Sequence, residues 1–157
     1  MALQILKFKL LYVFLMVAAL STLYSTDSAQ AAKANSQVYV VKNDRGGVVG
    51  ERVAEIKMLV ETGARVEITG GVCLSSCTMF LGVEDVCINP KTRFGFHGPS
   101  YYGKPLRPDR FEYWSNVIAD YYPAAIKKWF LETGRYKING YFEMDGAQLV
   151  RFGIQTC

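Results

Sequence analysis

The residues between Gln37 and Thr69 admit few folds. Gln37 to Val41 reads as a short, β-branched strand that the turn residues Asn43 to Gly47 bring to a stop. Val49, Val53, Ile56 and Val60 then recur at helical spacing with Glu51, Arg52 and Lys57 between them, and Gly63 ends the helix. Ala64, Val66 and Ile68 alternate with Arg65, Glu67 and Thr69, the period of a strand with one covered face. A strand, a helix and a strand in so short a span make a right-handed crossover between parallel neighbours. The chain is therefore expected to be α/β, with a small, mainly parallel sheet assembled from βαβ crossovers.

Further along, Ser76 to Leu81 is apolar and short, and is predicted to be a buried helix after the Gly70-Gly71 turn. Val86 to Ile88 and Arg93 to Phe96 read as brief strands on either side of the Asn89-Pro90 turn. A loop rich in Gly and Pro, Gly98 to Pro108, leads into a helical C-terminal part. There Phe111, Trp114, Val117, Ile118 and Tyr121 share one face, and Pro123 opens a further helix through Ile126, Trp129 and Phe130 that stops at Gly134. Asp145-Gly146-Ala147-Gln148 has the spacing of a capping box, starting a last helix that ends at Gly153.

The N-terminus carries a different signal. Lys7 and Lys9 precede an apolar run from Leu10 to Leu20, and small residues follow in Ser28-Ala29-Gln30-Ala31, the pattern of a secretory signal peptide. Cleavage is expected after Ala31, leaving residues 32–157 as a single domain exported across the cytoplasmic membrane, into the periplasm of a bacterium. If the segment stays uncleaved, it is the chain's only expected membrane contact. Of the 18 basic and 14 acidic side chains, Lys7, Lys9 and Asp27 lie in this segment, so the remainder has 16 and 13 and a net charge of +3. Basic runs interleaved with aromatics are absent, which argues against a nucleic-acid partner. Export makes disulfides the default for Cys73, Cys77, Cys87 and Cys157, with three connectivities open. A zinc site from Cys73, Cys77, Cys87 and His97 is the rival. It is disfavoured because the later ligands form no second compact knuckle, so no metal or cofactor is expected.

Three turns carry chemical potential. Ser75 and Ser76 follow a strand and open a helix, where the first backbone N–H groups lack helical acceptors and stabilise an oxyanion. Gly47 stands at the corresponding place after the preceding strand, and its bare backbone N–H can approach a carbonyl closely. His97, the only histidine, ends the next strand and is placed to take a proton from a serine hydroxyl. Each alone has a plainer role: a turn, a helix cap, a structural histidine. Their succession at three consecutive strand ends gives the joint reading its weight.

The run NDRGGVVG, VEITGGVCLSSCTMFLG, VCINPKTRFGFHGP resembles the ClpP/crotonase-like superfamily, in particular exported ClpP-like proteins whose serine stands in a Cys-x-Ser-x-Cys context. The likeness covers Val38 to about Pro99, and the closing EMDGAQLVRFGI is similar to the family's last helix. The resemblance implies a serine-peptidase site acting on a peptide or protein. Ser75 takes the nucleophile position, His97 the base, and the backbone N–H groups of Gly47 and Ser76 the oxyanion hole. Ser76 is a competing hydroxyl, but the family usually has a small or apolar residue there. The family's third member is an aspartate before the final helix. Here the stretch Lys137 to Glu143 offers Asn139 as nearest equivalent, able to orient an imidazole but not to offset its positive charge. This departure implies a slow enzyme, a Ser/His dyad, or a catalytically degenerate module acting as a disulfide-stabilised binding or assembly protein. Acyl-CoA chemistry from the crotonase side is a weaker expectation for an exported chain. Only six residues separate Ala31 from Val38, where ClpP has further strands and a helix. The resulting open sheet edge, with the aromatic face of residues 111–130, implies a possible homo-oligomer.

Overall fold

A computed structural model describes residues 37–157. The expected signal segment, residues 1–31, and its cleavage site lie outside them. Strand β1 (Val38–Asp44), helix α1 (Val49–Glu61) and strand β2 (Arg65–Leu74) form the crossover, with β1 and β2 parallel. Helix α1 packs Ile56 in the core and Val49 and Val53 against it, as the apolar spacing implies, but the buried stripe takes in Arg52 and Leu59 in place of Val60. Arg52, Ile56 and Leu59 are buried, whereas Val60 is 59% exposed. Arg52 can be buried there because its charge is compensated. It pairs with Asp44 and Glu55, and its guanidinium lies 4.3 Å from the centre of the Phe80 ring.

Strand β2 does not end at Gly70-Gly71, as the sequence suggested, but bends there. A Cβ on Gly70 would fall 0.9 Å from the Lys42 carbonyl oxygen, so the two backbones meet where only glycine fits. The register slips at this point: Val41 pairs with Ile68 but Asn43 with Val72. The Gly71 N–H donates to Asn43 Oδ1 at 2.9 Å and bridges the irregularity. Each half of the bent strand then finds its own neighbour. Its first half pairs with β3 (Val86–Ile88) and its second with β4 (Arg93–Phe96), both parallel. Antiparallel β7 (Phe142–Asp145) beside β4, and parallel β8 (Gln155–Thr156) beside β3, complete a curled, mostly parallel sheet of six strands.

The segment between β2 and β3 is a 3-10 helix, Ser75–Gly82, with Ser76 to Leu81 buried. After a hairpin of β5 (Ser100–Tyr101) and β6 (Lys104–Pro105) come helices α2 (Pro108–Ala119) and α3 (Ala124–Glu132), and α3 with the turn before it packs on β4 through an aromatic cluster. Phe96, at the end of β4, meets Trp129 edge-on at 5.3 Å and Tyr122 at 5.8 Å, and Tyr122 meets Phe130 at 5.2 Å. Burial of a side chain such as Phe96 contributes about 1.5–3 kcal/mol, so the cluster fixes the end of β4 firmly. Helix α4 (Gly146–Val150) starts with the expected capping box: Asp145 accepts from the Gln148 N–H at 2.7 Å, and Gln148 accepts from the Asp145 N–H at 2.8 Å.

The cysteines pair as Cys73–Cys77 and Cys87–Cys157. The first closes a short loop around Ser75, and the second ties the C-terminus to β3. Two disulfides fit an extracellular or periplasmic protein. Among the described residues, no helix is long and apolar enough to cross a membrane.

Candidate active site

Register alone brings three turns together. Asp44 of β1 lies opposite Cys73 of β2, and Leu74 of β2 opposite Gly95 of β4. The residues just beyond these pairs, Gly46, Ser75 and His97, therefore leave the sheet side by side at the C-terminal ends of three adjacent parallel strands. Gly46 makes the closest approach. Its φ is +85°, and a Cβ there would lie 2.5 Å from Ser75 Cβ and 2.8 Å from the Leu74 carbonyl oxygen. Gly47, expected from the sequence to bring its N–H to a substrate carbonyl, is packed differently. A Cβ on Gly47 would meet nothing within 4 Å, so Gly46 is the residue that must be glycine.

Ser75 adopts φ +58°, in the left-handed region that a side chain other than Asn or Asp rarely enters. Such a conformation costs on the order of 1–3 kcal/mol and persists where the surroundings over-determine it. The constraints are visible. The Cys73–Cys77 disulfide spans the turn, and Thr78 Oγ1 donates to the Ser75 carbonyl oxygen at 2.7 Å. Because the Thr78 hydroxyl proton is spent there, Tyr122 must donate to Thr78 Oγ1 across their 2.6 Å contact. Tyr122 is buried, and that burial raises the pKa of its phenol and keeps it a donor.

The strained turn aims Ser75 Oγ at His97. The distance to His97 Nε2 is 2.7 Å, and His97 Nδ1 lies 2.7 Å from the Gly98 carbonyl oxygen. A carbonyl can only accept, so Nδ1 carries the proton and Nε2 presents its lone pair to the serine hydroxyl. Burial lowers the His97 pKa, opposed by the Gly98 hydrogen bond, so the ring is neutral at neutral pH. Tyr141 closes one side of the imidazole, edge-on at 5.3 Å. That ring also lies against Gly95, where a Cβ would come within 2.9 Å of it.

The other expected residues divide. Ser76 is buried, and its Oγ has no hydrogen-bond partner among the described residues, so the hydroxyl brought to His97 belongs to Ser75. Ser76 follows Ser75 at the start of the 3-10 helix and Gly47 follows Gly46, which packs on Ser75; the Gly47 N–H donates to no acceptor among the described residues. The Gly46 N–H is already committed to Asp44 Oδ1 at 2.7 Å. Asn139, the nearest equivalent of a third triad member, is not brought to the ring. It is exposed, and its Oδ1 lies on the Gly103 side of the β5–β6 turn. The place that a triad acid would fill at Nδ1 belongs instead to the Gly98 carbonyl. All four cysteines are joined in disulfides.

Sequence reasoning gave no role to the Asp44, Arg52 and Tyr141 side chains. Asp44 offered the clearest signal, since an Asp two residues before a Gly is an Asx-turn pattern. The chain has no match among family models and none among curated proteins.

Proposed function

We propose that the protein is an exported, ClpP-like serine hydrolase of the peptidase type. Ser75 Oγ attacks a substrate carbonyl carbon, and its proton passes to His97 Nε2. The carbonyl oxygen becomes an oxyanion beside the Gly47 and Ser76 N–H groups. The imidazolium then protonates the leaving group; water, deprotonated by the same nitrogen, adds to the acyl carbon, and the imidazolium returns that proton to Ser75 Oγ as the C–Oγ bond breaks and the acid leaves. The observation that carries this reading is the 2.7 Å contact between Ser75 Oγ and a His97 nitrogen that its own hydrogen bonding leaves unprotonated. In place of a carboxylate, the Gly98 carbonyl holds the ring's tautomer. It supplies orientation without a full negative charge, so a Ser/His dyad with a modest rate is the mechanism proposed. Two disulfides support a site outside the cytoplasm, in the periplasm if the source is bacterial. A fluorophosphonate probe tests the reading: covalent labelling is expected in the native chain and lost in Ser75→Ala and His97→Ala. Labelling that survives in both variants overturns it.

One observation favours a second reading. With no acid on His97 Nδ1, the imidazolium that acylation requires is stabilised only by a backbone dipole. A ClpP-like module that has lost catalysis and serves as a disulfide-stabilised binding or assembly protein, including a homo-oligomer paired through β1, would show no labelling at any pH. It would form a stable complex on crosslinking.

A further inference from the structure

The loop that carries the Gly47 donor has no regular structure of its own, yet a partly buried ionic network holds it. The network starts in helix α1. Arg52, 9% exposed, sends Nη2 to Asp44 Oδ2 and Nη1 to Glu55 Oε2, the latter at 2.6 Å. Tyr39 donates to the other Glu55 oxygen, and its phenol pKa is pushed up to about 12, first by that hydrogen bond and then by burial. Asp44 divides its two oxygens between the two elements. Oδ2 accepts from Arg52, and Oδ1 accepts from the Gly46 N–H at 2.7 Å.

That second bond closes an Asx turn at Gly46, where a Cβ would collide with Ser75. It also removes the Gly46 N–H from the set of free donors, whereas the Gly47 N–H beside it has no acceptor among the described residues. A carboxylate free to rotate would hold the turn loosely. Arg52 prevents rotation, because it is itself fixed by Glu55 and by its stacking 4.3 Å above Phe80.

The geometry points to the Asp44–Arg52 pair as the positioning device of the oxyanion turn, setting the Gly47 N–H for the transition state of the hydrolysis proposed above. The inference rests on that reading for its catalytic consequence. Its structural half, the anchoring of the turn, stands separately. Neither residue touches the reacting atoms, so the pair acts on the rate of the chemical step and not on recognition of the reagent.

Two measurements on the full chain test it. In the first, hydrogen exchange of the Gly46 amide is followed by NMR. Asp44→Ala is expected to accelerate it by about tenfold or more, since the amide loses its acceptor. In the second, phosphonylation by the fluorophosphonate is resolved into a maximal rate and a half-saturating concentration. Removing an oxyanion donor outright costs about 10²–10³ in rate, so misplacing one in Asp44→Ala or Arg52→Met is expected to lower the maximal rate by about 10–100-fold. The half-saturating concentration and the pH midpoint set by His97 stay where they are. Arg52→Lys, which keeps the charge, retains more of the rate than Arg52→Met. Asp85→Ala, which removes only an exposed ion pair with Arg65, changes nothing. If Asp44→Ala does not fold, Arg52→Met and Arg52→Lys carry both measurements, with a smaller acceleration of Gly46 exchange because Asp44 keeps its bond to the amide but is free to rotate. The inference is overturned if Gly46 exchange is unchanged, or if the maximal rate holds while half-saturation or the pH midpoint shifts. If the native chain is never labelled, the hydrolase reading falls. The exchange measurement still decides whether Asp44 anchors the turn.

Discussion

Replacing Gly46 and Gly47 in turn by alanine separates two residues that sequence alone treats as one motif. At Gly46, φ is +85°, and holding an alanine there costs roughly 1–2 kcal/mol. Its Cβ would fall 2.5 Å from Ser75 Cβ and 2.8 Å from the Leu74 carbonyl oxygen, both on rigid parts of the chain. Relieving such an overlap means shifting the backbone of β1 or β2, at a typical cost of about 1–3 kcal/mol. The total destabilisation expected for Gly46→Ala is therefore about 2–5 kcal/mol, which lowers the melting temperature of a domain of this size by roughly 10–20 °C. At Gly47 a Cβ meets nothing within 4 Å and φ is not positive, so Gly47→Ala is expected to melt within about 3 °C of the native protein. Thermal unfolding followed by near-ultraviolet circular dichroism, with the disulfides intact, reads both. If Gly46→Ala melts with the native protein, or if Gly47→Ala shows the larger loss, the account of how this turn packs on Ser75 is wrong.

Other perturbations give distinct signatures. Phosphonylation should fall as the pH drops through the His97 pKa, which lies below the ordinary 6.5. The unfolded chain binds this proton more readily than the folded one, so stability also declines as pH falls from about 6.5 through that lower value. A rate that keeps rising well above pH 7 would refute the neutral, Nε2-presenting imidazole. Replacing Cys73 and Cys77 together by serine closes no loop in the unfolded chain and costs roughly 2 kcal/mol, but it frees the Ser75 turn, so labelling should collapse. Replacing Cys87 and Cys157, whose loop spans 70 residues, costs about 4 kcal/mol and leaves labelling intact below the new melting point. Asn139→Ala should label at the native rate, because its side chain bonds neither His97 ring nitrogen.

Much of this arrangement was legible because it depends on periodicity and on glycine. The crossover from β1 to β2 follows from two patterns with different periods, and the Asp145/Gln148 capping box from a local hydrogen-bond requirement. Ser75 and His97 were visible as residues at strand ends. Other features depend on contacts between distant segments, which no local pattern encodes. Arg52 looks like a solvent-facing cation until Asp44 and Glu55 are folded against it. The bend at Gly70 is a response to the Lys42 carbonyl, so the glycine pair reads as a turn in sequence and acts as a kink within a continuous strand. Strand β7 carries Phe142 and Met144 among acidic residues and is defined by pairing with β4 rather than by its own propensity. The third partner of the imidazole was sought among side chains, and it is a backbone carbonyl adjacent to the histidine itself.

The central claim is that the Ser75 hydroxyl is activated by His97 Nε2. The direct measurement is the position of the covalent adduct after fluorophosphonate treatment of the native, disulfide-bonded chain, located by mass spectrometry of its peptides. One adduct on Ser75, absent in His97→Ala, is the predicted result. An adduct on Ser76, or full modification of Ser75 without His97, would contradict it.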